Sequence, residues 1–248
     1  MLLQREGLRQ KERSDGSLAK EQLADVQETA AAAVIMPYEA REEYFIQDLG
    51  QLNSRPGYAF FKRAMDIVFS LIALLILIVP MAIIALLIKC TSHGPALFRQ
   101  ERLGLNGKKF SIVKFRTMFA DAEKNGAQWS SGESDVRITR LGRFLRKSRL
   151  DELPQLWCIL KGEMSLVGPR PEREVFYNEF EKYIHGFSQR LKVKPGLTGL
   201  AQVNGGYYLK PEEKIVYDVE YIKTRSIGLD IKIMFATVKV VFNREGAK

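Results

Sequence analysis

The sequence predicts an α+β fold, mainly helical, in which a re-entrant membrane helix and interfacial amphipathic helices accompany a small antiparallel β element. Three observations predict it. The 22 residues from Ile67 to Ile88 carry no charge and only Ser70 and Pro80 interrupt their apolar run, so they belong in lipid. Apolar residues recur at helical spacing after Pro211 and after Asp230. Two short β-prone stretches flank an Asn106-Gly107 pair that favours a tight hairpin.

Composition bounds the remaining choices. A chain of 248 residues with 46% apolar content and two cysteines is neither a disordered tail, nor collagen-like, nor a disulfide scaffold, and one or two domains fit it. Residues 1–57 hold seven Lys+Arg against ten Asp+Glu, which leaves residues 58–248 with 31 against 19 and a net charge of +12. The basic part therefore seeks an anionic partner: nucleic acid, a membrane surface or a phosphorylated small molecule. Cys90 and Cys158 are single and far apart, with no zinc-site spacing, which suits a reducing, cytosolic setting.

Residues 1 to about 50 mix Glu, Lys, Ala and Gln, as an exposed helix or a loosely held extension does, and Asn53–Gly57 reads as a turn-rich boundary. The apolar run starts too far from the N-terminus, and is too long, for a signal peptide. Its length suits a full crossing of roughly 33 Å, but two details favour a helix that dips into one leaflet and returns. Lys62 and Arg63 precede it while Lys89, Arg99 and Arg102 follow it, so the positive-inside preference is met only if both ends face the cytosol. Pro80, lacking an N–H and clashing with the carbonyl of Ile76, is expected to kink or break the helix.

Past the hairpin, Arg137, Arg140, Arg143, Arg146 and Arg149 recur every third residue, and a step of three drifts about 60° round a helix, so they form no single stripe. Pro211, Glu212 and Glu213 start a helix whose expected apolar stripe is Ile215, Val219 and Ile222, with Asp218 off it. Behind an expected Asp230 cap, Ile231, Met234, Phe235, Val238, Val241 and Phe242 make a second stripe, suited either to core packing or to an interfacial plane near Lys232 and Lys239.

The adjacent carboxylates Asp151 and Glu152, in SRLDELPQL, are the most informative pair in the chain. By itself the pair suits a helix start, with Asp151 as cap and Pro154 at the third helical position, where no N–H is needed. Arg146, Lys147 and Arg149 nearby favour two ionised carboxylates, and a carboxylate set among guanidinium groups is a nucleophile toward phosphorus when cations also hold the phosphates. Pro169 and Pro171 rigidify the turn around Arg170, whose fork could grip a diphosphate. Lys114 and Arg116, in KFRTM, would share one face of an unbulged strand. Gly196–Gly199 and the following Gln202 read as a polar loop near a ligand, and Asp121 with Glu123 reads as a metal pair or an exposed helix end.

Taken in order, the apolar run with its internal proline, KFRTM, SRLDELPQL, SLVGPRP, GLTGLAQVNG and YDVEYIK resemble the bacterial sugar transferase family, the monotopic polyprenyl-phosphate phosphoglycosyl transferases, over roughly residues 58–248. That resemblance implies a re-entrant membrane helix at the bacterial inner membrane and a catalytic domain on its cytosolic face. It implies transfer of a phosphosugar from a UDP-sugar to undecaprenyl phosphate with release of UMP, the first step of a glycan such as an exopolysaccharide, an O-antigen or a glycoprotein glycan. Asp151 would attack phosphorus and form the phosphosugar intermediate, and Glu152 would position it; both would hold Mg2+. Lys114, Arg116, Arg146, Pro169, Arg170, Gln202 and Asp218 take substrate-binding or orienting roles by the same correspondence. Lys194 stands where family members carry arginine before Pro-Gly, so the planar fork is lost there. Membrane lipid is an expected partner, a second copy of the chain is an open one, and nucleic acid is not expected. The competing readings are a membrane-anchored nucleic-acid-binding regulator, which the lack of a recognisable DNA- or RNA-binding motif disfavours, and a non-catalytic scaffold, which would not need the acidic pair.

Overall fold

A computed structural model describes residues 42–122 and 135–243 of the chain. The expected N-terminal extension up to residue 41, Glu123 and the side chain of Phe242 lie outside the described residues. Residues 42–55, which the sequence places in the extension, pack onto the rest of the described body. Strand β1 (Tyr44–Phe45) pairs in parallel with Ile184–His185, and Asp48 accepts hydrogen bonds from Gln189 Nε2 and Lys192 Nζ, both at 2.9 Å.

Helix α1 (Pro56–Thr91) follows, with a proline in its first turn and a length of about 54 Å if straight. It is one continuous helix through Pro80, so of the kink or break that the sequence predicts there is no break. The turns on either side of Pro80 are packed: Ala73, Leu74 and Leu77 lie against one buried cluster of the body, and Met81, Ile84, Ala85 and Ile88 against another. That packing offsets the cost of about 3 kcal/mol for a proline inside a helix. With Asp66 and Ser70, these residues form one stripe at helical spacing, whereas Leu71, Leu75, Ile76, Ile78, Val79, Ile83 and Leu86 open outward. This is the one helix among the described residues long and apolar enough to cross a membrane.

Both ends of α1 are tied to the same body. Near its start, Lys62 Nζ donates to Val167 O and Asp230 Oδ2, Arg63 donates to the carbonyls of Ile159 and Leu160 at the end of a short helix, and Asp66 Oδ1 accepts from Leu166 N and Ser165 Oγ. At its far end, Arg116 Nη2 donates to the carbonyl and hydroxyl of Ser92.

Strands β2 (Leu97–Leu103) and β3 (Lys109–Phe115) form the expected antiparallel hairpin, with Leu97 opposite Phe115 and Leu103 opposite Lys109. The Asn-Gly pair does turn the chain, both residues taking positive φ (56° and 74°), but within a five-residue loop rather than a two-residue one. Helix α2 (Arg140–Lys147) is capped by Thr139, whose Oγ1 accepts from Gly142 N. A 3-10 segment, Leu150–Gln155, leads into α3 (Leu156–Lys161) and strand β4 (Ser165–Val167). Then come α4 (Glu174–Glu181), β5 (Ile184–His185), a second 3-10 segment at Phe187–Lys192, and β6 (Gly196–Thr198), which pairs in parallel with β4.

Two long helices close the body after the one-turn helix α5 (Leu200–Val203). Helix α6 (Pro211–Thr224) buries Ile215 and Ile222 as expected, but also Lys214, Asp218 and Tyr221, so Asp218 sits on the buried face rather than off it. Helix α7 (Ile227–Asn243) begins three residues before Asp230. Ser226 Oγ accepts from Leu229 N there, and the Asp230 carboxylate turns inward to Lys62, Tyr58 and Tyr221 instead of capping. Ile233 is buried, while Ile231, Phe235 and Val238 are exposed, which leaves an apolar face open.

Candidate active site

The acidic pair sits where α2 hands over to α3. Arg149 adopts a left-handed conformation (φ 58°) that turns the chain sharply, and Asp151 and Glu152 fall in the first turn of the 3-10 segment. The cap position is held by Arg149 and Asp151 lies inside the first turn, so the expected helix cap is not its role. Both carboxylates are about 7% exposed, yet their surroundings differ. Arg170 grips Glu152 through both guanidinium ends, Nη1 at 3.2 Å from Oε2 and Nη2 at 2.5 Å from Oε1, and Lys114 Nζ stands 3.5 Å from Oε1. Burial alone would raise the Glu152 pKa, but Arg170 and Lys114 outweigh it and hold the carboxyl well below the usual range.

No hydrogen bond reaches the Asp151 carboxylate from the described residues. Burial and the neighbouring Glu152 push its pKa up to about 6, against the pull of Lys114, Arg146 and Arg170. The basic surroundings thus keep one carboxylate firmly ionised instead of both, because only Glu152 is in direct contact with a cation. One member of the pair is clamped, and the other is buried with no hydrogen bond from the described residues.

The Gly168-Pro169-Arg170-Pro171 turn brings Arg170 to the pair. It is held by an extension of the β4–β6 pairing: Gly168 N donates to Thr198 O and Gly196 N to Pro169 O, each at 2.9 Å. The backbones approach so closely that a Cβ on Gly196 would stand 2.1 Å from Gly168 N, and one on Gly199 would stand 2.2 Å from Gly168 O. The stretch predicted as a polar loop is therefore a strand and a helical turn pressed onto Pro169. Gln202 lies on that turn beside Gly199, and both its amide atoms are buried with no hydrogen-bond partner among the described residues.

Other predicted residues separate. Lys114 reaches Glu152, but Arg116 lies beyond the end of β3 and turns to Ser92, so the two do not form a pair on one strand face. Arg146 Nε donates to Thr117 Oγ1 at 2.9 Å and acts on Asp151 through its charge. Asp218 is fully buried and 2.7 Å from Arg190, a residue that the sequence reading missed. Arg190 Nη2 donates to Arg170 O at 2.9 Å. Its only sequence signal is a cation set between Phe187 and Leu191.

For a metal, the donor set is small: among the described residues no three acidic, His or Cys side chains gather at one point, and Asp121 is an exposed side chain. Two adjacent carboxylates, one of them without any hydrogen bond, still fit Mg2+, which binds through one or two carboxylates and completes its shell with water and phosphate oxygens.

Comparison with known proteins gives the chain a family. The chain is 43% identical over 203 residues to the UDP-N-acetylgalactosamine-undecaprenyl-phosphate N-acetylgalactosaminephosphotransferase of Aeromonas hydrophila, covering 81% of this chain and 48% of that protein. It is 43% identical over 183 residues to the UDP-glucose:undecaprenyl-phosphate glucose-1-phosphate transferase of Klebsiella pneumoniae, covering 72% of this chain and 39% of that protein. With a putative undecaprenyl-phosphate N-acetylgalactosaminyl 1-phosphate transferase of Bacillus subtilis it shares 51% over 134 residues, 54% of this chain and 74% of that one. The chain thus spans about half or less of the first two relatives. Residues 57–244, which contain the acidic pair, the Arg170 turn and all of α1 but its first residue, match the model of one family across most of the chain: the protein belongs to the bacterial sugar transferase family.

Proposed function

We propose that the chain transfers a sugar phosphate from a UDP-sugar to undecaprenyl phosphate at the membrane surface, by two displacements through Asp151. The observation that carries this reading is the unequal treatment of the two carboxylates. A carboxylate with no hydrogen bond, removed from water beside a clamped neighbour, is the more reactive nucleophile, because little solvation must be stripped from it.

In the first displacement an Asp151 oxygen attacks the sugar-bearing phosphorus. The bond from that phosphorus to the bridging oxygen breaks, and UMP leaves with the electron pair. In the second, a phosphate oxygen of undecaprenyl phosphate attacks the same phosphorus and the Asp151 carboxylate leaves, giving undecaprenyl diphosphosugar. No net proton is consumed. Arg170 and Lys114 keep Glu152 ionised and fixed, Arg146 adds positive charge beside the attacked diphosphate, and Gln202 lies on the turn that supports Pro169. Asp151 and Glu152 would hold the magnesium ion, which when bound neutralises charge on the diphosphate.

Helix α1 serves this chemistry by pinning the site to the headgroup level, where the lipid phosphate lies. We read it as re-entrant, continuous in its helical hydrogen bonding but bent at Pro80, with the body on the cytosolic face. Its two ends hold one body, and a crossing of about 30 Å of hydrocarbon would pull them to opposite sides. The open apolar face of α7 suits the interfacial plane. Cys90 is exposed at the far end of α1 and Cys158 is buried. A maleimide that cannot cross the membrane should therefore label Cys90 and an introduced Ser54→Cys from the same side, and labelling from opposite sides would end the re-entrant reading.

For the chemistry, membranes containing the chain are incubated with undecaprenyl phosphate, magnesium and a panel of UDP-sugars, and UMP is measured. Release by the native chain, parallel double-reciprocal plots and a labelled sugar phosphate trapped on the protein without lipid are expected. Equal release by Asp151→Asn would remove Asp151 as the nucleophile.

A further inference from the structure

We infer that Arg190, braced by Asp218, is a positioning residue that sets Arg170 and through it Glu152. The inference rests on the catalytic reading above and assigns the pair no contact with substrate. Four links carry it. Asp218 Oδ2 is 2.7 Å from Arg190 Nη2, and the same nitrogen donates to the Arg170 carbonyl at 2.9 Å. The side chain of that same Arg170 clamps Glu152. The Arg190 guanidinium is held against the rings of Phe187 and Tyr177, 4.8 and 5.8 Å from their centroids. Finally, residues 48–50 fasten the 3-10 segment on both sides of Arg190: Leu49 N donates to Gln189 Oε1, and Lys192 Nζ donates to Asp48 and to Gly50 O.

Energetics separate this from a structural ion pair. Arg190 and Asp218 are each about 1% exposed, and Arg190 Nε and Nη1 are buried without a hydrogen-bond partner among the described residues. A buried pair with donors unmet gives back little of its desolvation cost, and apolar residues of similar size commonly replace such pairs without loss of stability. What an apolar replacement cannot reproduce is a donor aimed at the Arg170 carbonyl. Glu172, which Arg102 engages at 3.2 Å, adds negative charge near Arg190 but has no bond to it.

The test uses the full chain in membranes. The double variant Arg190→Met/Asp218→Leu should keep or raise the melting temperature, while kcat for UMP release falls roughly 10- to 100-fold, the size expected when a catalytic group is misplaced by about an ångström. KM for the UDP-sugar should change less than kcat. In an Arg170→Lys background the double variant should cost little more, since both changes disturb one link. Hydrogen exchange across residues 165–173 should speed up in the variant. If the double variant does not fold, Arg190→Lys, which keeps the charge but not the fork, is measured the same way. Unchanged kcat, fully additive losses or unaltered exchange across 165–173 would overturn the inference. If the native chain releases no UMP from any UDP-sugar, the proposed function fails, and the exchange measurement still decides whether Arg190 holds the Arg170 turn.

Discussion

At the root of α1, Lys62 donates to Val167 O, Tyr221 Oη and Asp230 Oδ2, and Asp230 also accepts from Tyr58 and Tyr221. At the acidic pair and behind it, no hydrogen bond reaches Asp151 from the described residues, and among them Arg190 leaves two nitrogens unmet. Both regions bury charge next to aromatic rings, so burial does not distinguish them; completeness does. A saturated buried network holds two elements together, and here it fixes the long apolar helix α1 to the body. An unsaturated one is tolerated where an atom must stay available for chemistry or must aim another group.

Four substitutions sharpen or break this contrast. The largest effect belongs to Asp151→Asn. Turnover should fall at least about 10³-fold, as expected on loss of a nucleophile, and the melting temperature should hold or rise, because an unpaired buried charge has been removed. A clear drop in melting temperature would show that Asp151 is structural after all. Next comes Lys62→Met, which strands Asp230 as a buried unpaired carboxylate and should cost about 3–5 kcal/mol in denaturant unfolding. A small loss there would mean that the root is no more saturated than the Arg190 pair. Tyr58→Phe removes one donor from the same network and should cost about 1 kcal/mol, with kcat per folded molecule unchanged.

The smallest effect is expected at Asp48→Asn. Lys192 and the Gly50 amide, with Gln189, hold the exposed Asp48 carboxyl down at about 2. Its folded value lies below the ordinary carboxylate value, so its contribution is present at neutral pH and is lost as the pH falls toward 2. Screening by water keeps the contribution small. The loss in melting temperature should be below that of Tyr58→Phe and should shrink further in acid.

How much was legible depends on whether a residue's neighbours are local. The apolar run, the Asn106-Gly107 turn, the helix starting at Pro211 and the ordered motifs around Asp151 and Arg170 are written in short spacings, and they locate the membrane helix and the acidic pair. Contacts distant in sequence were not legible. Arg116 and Lys114 are two apart, yet one serves Ser92 and the other Glu152. Asp218 was expected off the apolar stripe and is buried because Arg190, 28 positions earlier in the chain, meets it. Asp230, expected as a cap, faces Lys62, 168 residues away.

The sequence by itself determined which segment is lipid-compatible, because hydrophobic length is additive along the chain, and which carboxylates and cations are available to a phosphate chemistry. Only the tertiary structure decided their roles. Burial and the Arg170 clamp make two adjacent, chemically similar acids unequal, and packing on both sides of Pro80 carries a helix through a residue that should interrupt it. A side chain's charge state and the cost of a kink depend on which groups surround them, and the fold alone supplies those groups.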